Sequence, residues 1–93
     1  MKTAKEILEM TRKESKLAKA CDKLIEASST LVESTAMKGH REALIDVHDI
    51  ENHGVKSWEY HYGEIADMLK YKLIKLGYTT SYNENRKILT VMW

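Results

Sequence analysis

From Thr3 to Met37 the chain runs without a proline or a glycine, and its apolar residues return every three or four positions. Ile7, Met10, Leu17, Cys21, Leu24, Leu31 and Val32 form one stripe, with Lys and Glu between them. That period is helical. Thr3-Ala4-Lys5-Glu6 supplies a capping box at the start, the Thr3 hydroxyl taking the backbone N–H of Glu6 while Glu6 reaches back. Glu14 falls on the stripe, and Ser28-Ser29-Thr30 crosses it. Unbroken, this helix is about 50 Å long. A compact domain of this size is only about 32 Å across. Either the helix breaks near Ser28–Thr30 and packs within one chain, or other copies cover its stripe. The loose heptad spacing favours packing between subunits.

The remaining composition sets limits. Ninety-three residues make one domain. It divides into an N-terminal helical oligomerisation segment, 1–38, and a core, 40–93. Hydrophobic residues are 43% and charged residues 31% of the chain, a globular rather than a disordered balance. Fifteen Lys and Arg against 14 Asp and Glu leave +1, without the concentrated positive charge that binds duplex nucleic acid. No apolar run approaches the ~18 residues of a membrane span. Met1–Glu6 lacks the apolar core of a secretory signal. The one cysteine, Cys21, allows no intrachain disulfide, so a reducing cytoplasm is the expected compartment. A domain this small gains from oligomerisation.

Beyond the first helix, glycines punctuate the chain. A second helix is expected from His40 to His53, with Ala43, Leu44, Val47 and Ile50 inward and Gly54 after its end. Val55–Tyr62 alternates, with Lys56, Trp58, Tyr60 and Tyr62 on one face, and reads as a strand. A third helix spans about Glu64 to Leu76 on an Ile65, Leu69, Leu73 and Leu76 stripe, capped by Gly77. Tyr78–Tyr82 and Arg86–Trp93 then form a hairpin around Asn83-Glu84-Asn85. The expected fold is α+β: a long N-terminal helix, a second helix, then β-α-β-β with a small three-stranded sheet.

The second half also carries a compound pattern: Gly54-x-Lys56-Ser57, then Leu73-x-x-Leu76-Gly77-Tyr78, then Tyr82 and a closing Ile88-x-Thr90-x-Met92-Trp93. With the capped start Met1–Glu6, it resembles a group of small phage-encoded proteins. It is similar to the phage anti-CBASS and anti-Thoeris nucleotide sponges. The resemblance covers residues 3–30 weakly and 50–93 better. It implies a non-enzymatic homotetramer that sequesters a cyclic dinucleotide or a cyclic ADP-ribose-type immune signal in the host cytoplasm, with no cofactor. Val55 separates Gly54 from Lys56, Met92 replaces the usual Ser or Thr, and Met37–Asp49 is longer than the pattern.

Such a ligand needs planes for its bases and cations or hydroxyls for its phosphates. A symmetric interface suits a near-twofold ligand. Lys56, Ser57, Trp58, Tyr60 and Tyr62 on the aromatic strand, with Tyr82, Arg86 and Lys87 around the hairpin turn, are the candidate ligand-binding residues. Thr79 and Thr80 offer further hydroxyls. The competing reading makes Trp58 and Tyr60 core against a helix, and Arg86 and Lys87 a solvated hairpin edge. Trp93 and Tyr78 read as core.

Other constellations are weaker. Of the four histidines, His40, His48, His53 and His61, His48 and His53 are five apart and do not share a helix face, and no Cys partner is near, so no metal site is expected. Cys21 lies on the apolar stripe. Ser57 and His61 are ~13 Å apart along a strand, beyond hydrogen-bond reach, so no catalytic residue is assigned. Lys13, Lys16, Lys19 and Lys23 are offset by Glu9, Glu14, Asp22 and Glu26, a solvated face. The alternative function is a small phage protein that inhibits a host protein through its helical surface.

Overall fold

The computed structural model describes residues 1–56 and 58–93; in the first helix the side chains of residues 9–15 lie outside that description. The first helix, α1, spans Ala4–Met37 without a break. Thr3 caps it, its Oγ1 accepting from the Glu6 N–H at 3.2 Å. The helix runs through the expected weak point, where two serine hydroxyls bond to its own carbonyls. Ser28 Oγ donates to the Leu24 carbonyl at 2.8 Å, and Ser29 Oγ to that of Glu26 at 2.7 Å. The helix stops at a Schellman motif, with His40 N–H on the Thr35 carbonyl at 3.2 Å and Gly39 N–H on that of Ala36 at 2.9 Å. Gly39 takes φ +87°, a region a side chain disfavours.

The next segment departs from the expected second helix. Glu42–Asp46 is a strand, β1, followed by a 3₁₀ helix at Val47–His53. The apolar set satisfies two periods at once. Ala43, Val47 and Ile50 fit a helix, Ala43, Ile45 and Val47 fit a strand, and all four are buried, so burial of this set does not choose between them. Leu44, assigned inward by the helical reading, is 56% exposed. Pairing with a distant strand decides between the two.

The expected third helix is α2, Tyr62–Lys75, with Ile65, Ala66, Leu69 and Leu73 buried and Leu76 exposed beyond its end. It closes on a second Schellman motif, Tyr78 N–H on the Leu73 carbonyl at 3.1 Å and Gly77 N–H on that of Ile74 at 3.0 Å. The hairpin follows as β2, Thr79–Asn83, and β3, Ile88–Met92. The sheet is three-stranded and antiparallel in the order β1-β3-β2. The fold is α+β with a long helix near the N-terminus, but its first strand is 42–46 and not 55–62.

One core joins these elements. Leu17, Cys21 and Leu24 of α1 and Ile65, Leu69 and Leu73 of α2 press on Ile45, Leu89 and Val91 of the sheet. α1 packs on β1 and α2 on β2, so both helices cover the same sheet face. The chain end is fixed by a reciprocal pair: Trp93 N–H donates to the Arg41 carbonyl, and Arg41 Nε to that of Trp93, each at 3.0 Å.

α1 outruns this core. The molecule measures 52 × 25 × 21 Å with a radius of gyration of 14.5 Å, against about 12 Å for a compact chain of this length. Lys16 ties α1 to Glu59 at 2.7 Å. Ile7 and Leu8 toward the N-terminus, and Leu31 and Met37 toward the other end, are exposed. No helix among the described residues is long and apolar enough to cross a membrane.

Candidate functional site

Among the described residues of the expected 55–62 strand none is in a strand, and Tyr62 opens α2, so the aromatic face read from alternation does not form. The Glu59 N–H donates to the Lys56 carbonyl at 3.0 Å, folding the segment into a turn. Val55 and Tyr60 anchor its two ends in the core, at 0% and 8% exposure. Burial, with the Glu59 and Glu64 carboxylates, pushes the Tyr60 phenol up. Lys56 is exposed, and Trp58 stands out at 81%. Trp58 is therefore not core, Tyr60 is core and not a stacking plane, and Ser57 lies outside the described residues.

The hairpin residues fare differently. Asn83 Oδ1 accepts from the Asn85 and Arg86 N–H groups at 3.1 and 3.2 Å, an Asx arrangement that shapes the turn. Lys87 then takes φ +57°, and its carbonyl accepts from the Val47 N–H at 2.9 Å. This bond sets the end of β1 beside the start of β3. It brings Lys87 to the first residue of α2: its ammonium lies 5.8 Å from the Tyr62 ring centroid. Tyr62 also meets His48, centroids 4.8 Å apart at 58°.

Asp46 orients His48, its Oδ1 accepting from the His48 backbone N–H at 2.9 Å and pairing with Nδ1 at 2.7 Å. Burial raises the Asp46 pKa, but the hydrogen bonds from the His48 ring and backbone, with the ring's charge, outweigh it and hold the carboxyl below its usual range. Tyr82 projects inward from β2, opposite Leu89. Its hydroxyl is buried and has no hydrogen-bond partner among the described residues. Burial pushes this phenol up, helped by Glu84, Tyr62 and Asp67.

Four of the eight predicted site residues thus gather at one corner of the fold: Tyr62, Tyr82, Lys87 and, beside it in the turn, exposed Arg86. Lys56, Trp58 and Tyr60 belong to a separate loop. His48 is the residue that sequence reasoning missed. The signal was Asp46-Val47-His48, an Asp that caps its own turn two residues on. It was hidden because 40–53 read as a helix, which puts His48 on a solvated surface.

Two clefts flank the far half of α1. One, of about 270 Å³, lies between α1 and β1 and is walled by Leu31, Leu44, Asp46, Asp49 and His53. Its carboxylates disfavour a phosphate. The other, of about 120 Å³, is lined by Ile25, Val32, Leu73 and Tyr78 among others. None of the eight predicted residues lines either cleft. Among the described residues no three His, Cys, Asp or Glu side chains are grouped to hold a metal. The chain matches no family model, no curated protein and no solved structure.

Proposed function

We propose that this chain is a phage immune-evasion protein that binds a cyclic nucleotide immune signal and sequesters it uncleaved in the host cytoplasm. The signal is of the cyclic dinucleotide or cyclic ADP-ribose type, and the protein acts as a homotetramer without a cofactor. One observation carries the reading: the Lys87 ammonium lies over the Tyr62 ring, 5.8 Å from its centroid, with the His48 ring packed on the same tyrosine. An aromatic plane beside a cation is what a base joined to a phosphate needs, and Arg86 adds a guanidinium at the same turn. The overhanging α1 supports assembly, since its ends are not covered by its own core.

Calorimetric titration against cyclic di- and trinucleotides and cyclic ADP-ribose isomers tests this. The expected result is saturable binding of at least one ligand, recovered intact after the protein is denatured. Silence across the panel removes the reading, and recovery of a cleaved product makes the protein an enzyme.

A second reading draws on the exposed Ile7 and Leu8, at 50% and 49%, and on Met37 at 89%. These could grip a host protein and inhibit it. A stoichiometric host protein that copurifies through α1, with no nucleotide bound, favours that reading.

A further inference from the structure

The two edges of the sheet differ in a way that selects one of them for pairing. β1 carries Glu42 and Asp46. Paired with itself about Leu44, it sets each carboxylate against another, which disfavours the contact. β2, Thr79-Thr80-Ser81-Tyr82-Asn83, has no charge, no proline and no glycine. It is rich in strand-forming Thr and Tyr, and it carries neither the charges nor the proline that commonly blunt an edge.

α2 adds a matched flank. Lys72 reaches Asp22 of α1 at 2.8 Å, which marks the α1 side of α2. Ile74 lies about 200° further round. It therefore faces away from α1, out past β2, and is 57% exposed. Gly63, Asp67 and Lys70 share that flank by the same spacing. Ser81 stands about 13 Å along β2 from the Leu76–Tyr78 connection, at ~3.3 Å per residue. Counted from Gly77 at ~1.5 Å per residue, the same height on α2 falls near Met68, between Asp67 and Lys70.

We propose that β2 pairs antiparallel with β2 of a second copy about a two-fold axis at Ser81, making one six-stranded sheet. At that height the axis sets Asp67 opposite Lys70 of the second copy, opposite charges on both sides of the axis. It also sets Ile74 opposite Gly63 of the second copy. A Cβ built on Gly63 meets nothing within 4 Å, so the isoleucine has room. This contact adds a separate interface to the assembly proposed above. It depends neither on a ligand nor on α1.

Mild oxidation of Ser81→Cys protein tests it. Cross-strand partners in an antiparallel pair lie about 4.5–5.5 Å apart at Cα, within disulfide range. The expected result is a linked dimer on a non-reducing gel. The unmodified chain should stay unlinked, because Cys21 is 0% exposed. Leu44→Cys, on the guarded edge, should also stay unlinked. In parallel, Ser81→Lys should halve the mass measured by sedimentation, with the far-ultraviolet circular dichroism unchanged. Ser81→Cys protein that links no faster than Leu44→Cys overturns the contact. So does a folded Ser81→Lys variant of undiminished mass. Nucleotide titration of the same variants reads the ligand proposal separately.

Discussion

The ammonium of Lys87 lies 5.8 Å from the centre of the Tyr62 ring, although 25 positions separate them in the chain. The contact exists because the Lys87 carbonyl is bound to Val47 and Tyr62 opens α2 at the same corner. Tyr62→Ala should weaken nucleotide binding by about 1–3 kcal/mol, the worth of one stacked base. Lys87→Gly should remove the ammonium and leave the fold intact, since φ +57° suits glycine better than lysine. Its signature is a smaller dependence of affinity on salt than in the parent protein. Calorimetry at two ionic strengths reads both effects. Unchanged affinity in both variants would empty this corner of its role.

Trp58 and Tyr60, two positions apart, should respond to truncation in opposite ways. Trp58 is 81% exposed, so Trp58→Ala should alter stability by less than about 0.5 kcal/mol. Tyr60 is 8% exposed and joins the core cluster, so Tyr60→Ala should cost about 3–5 kcal/mol, as large aromatic truncations do. Urea denaturation of both variants checks this. A large loss from Trp58→Ala would mean that the tryptophan is covered in solution, by a ligand or by another copy.

How legible these elements were follows from where each decision is made. α1, α2 and the hairpin depend on local signals: the Thr3 cap, the glycines at 39 and 77, and the apolar period between them. Residues 42–46 depend on a remote partner. Ala43 and Ile45 pair with Val91 and Leu89, 48 and 44 positions on, and nothing local separates strand from helix there. Residues 55, 56 and 58–61 alternate like a strand in sequence but join no ladder of the sheet, whose order is β1-β3-β2. Without a ladder the alternation means little, and the turn at Lys56–Glu59 takes over. The site was half legible for the same reason. Tyr82, Arg86 and Lys87 sit on a locally coded hairpin, whereas His48 depends on the misread strand.

Asp46 makes stability fall in acid. Its folded-state pKa is held down, with burial opposing and the His48 hydrogen bonds prevailing. The unfolded carboxyl titrates at about 3.9. Above that value the Asp46 carboxylate is ionised in both states and its own titration contributes no further change. As pH falls through the lower folded pKa the carboxylate is protonated and its contribution is lost. Half-exposed partners, at 50% and 46%, make the effect small. Asp46→Asn should therefore flatten the stability profile below pH ~4. Thermal melts across the acid range measure this. A variant profile parallel to that of the parent throughout would show that Asp46 does not titrate with folding.

Leu17, Leu24 and Leu31 lie seven residues apart on one line of α1, and their exposures are 5%, 3% and 47%. The line thus leaves its own core before the helix ends. At the other end Ile7, ten positions before Leu17, is 50% exposed, with Leu8 beside it at 49%. Water on these ends favours covering them, by roughly 25 cal/mol for each Å² of apolar surface removed. Ile7→Lys with Leu8→Lys should lower the mass of the assembly. Unfolding of the separated chain should change by less than about 0.5 kcal/mol, because neither side chain belongs to the core. Light scattering coupled to size exclusion reads the first, and urea melts at low protein concentration the second. A variant that keeps its full mass would show that the overhang is not a seam between copies. Together with loss of nucleotide binding, a fall in mass would place the ligand where copies meet.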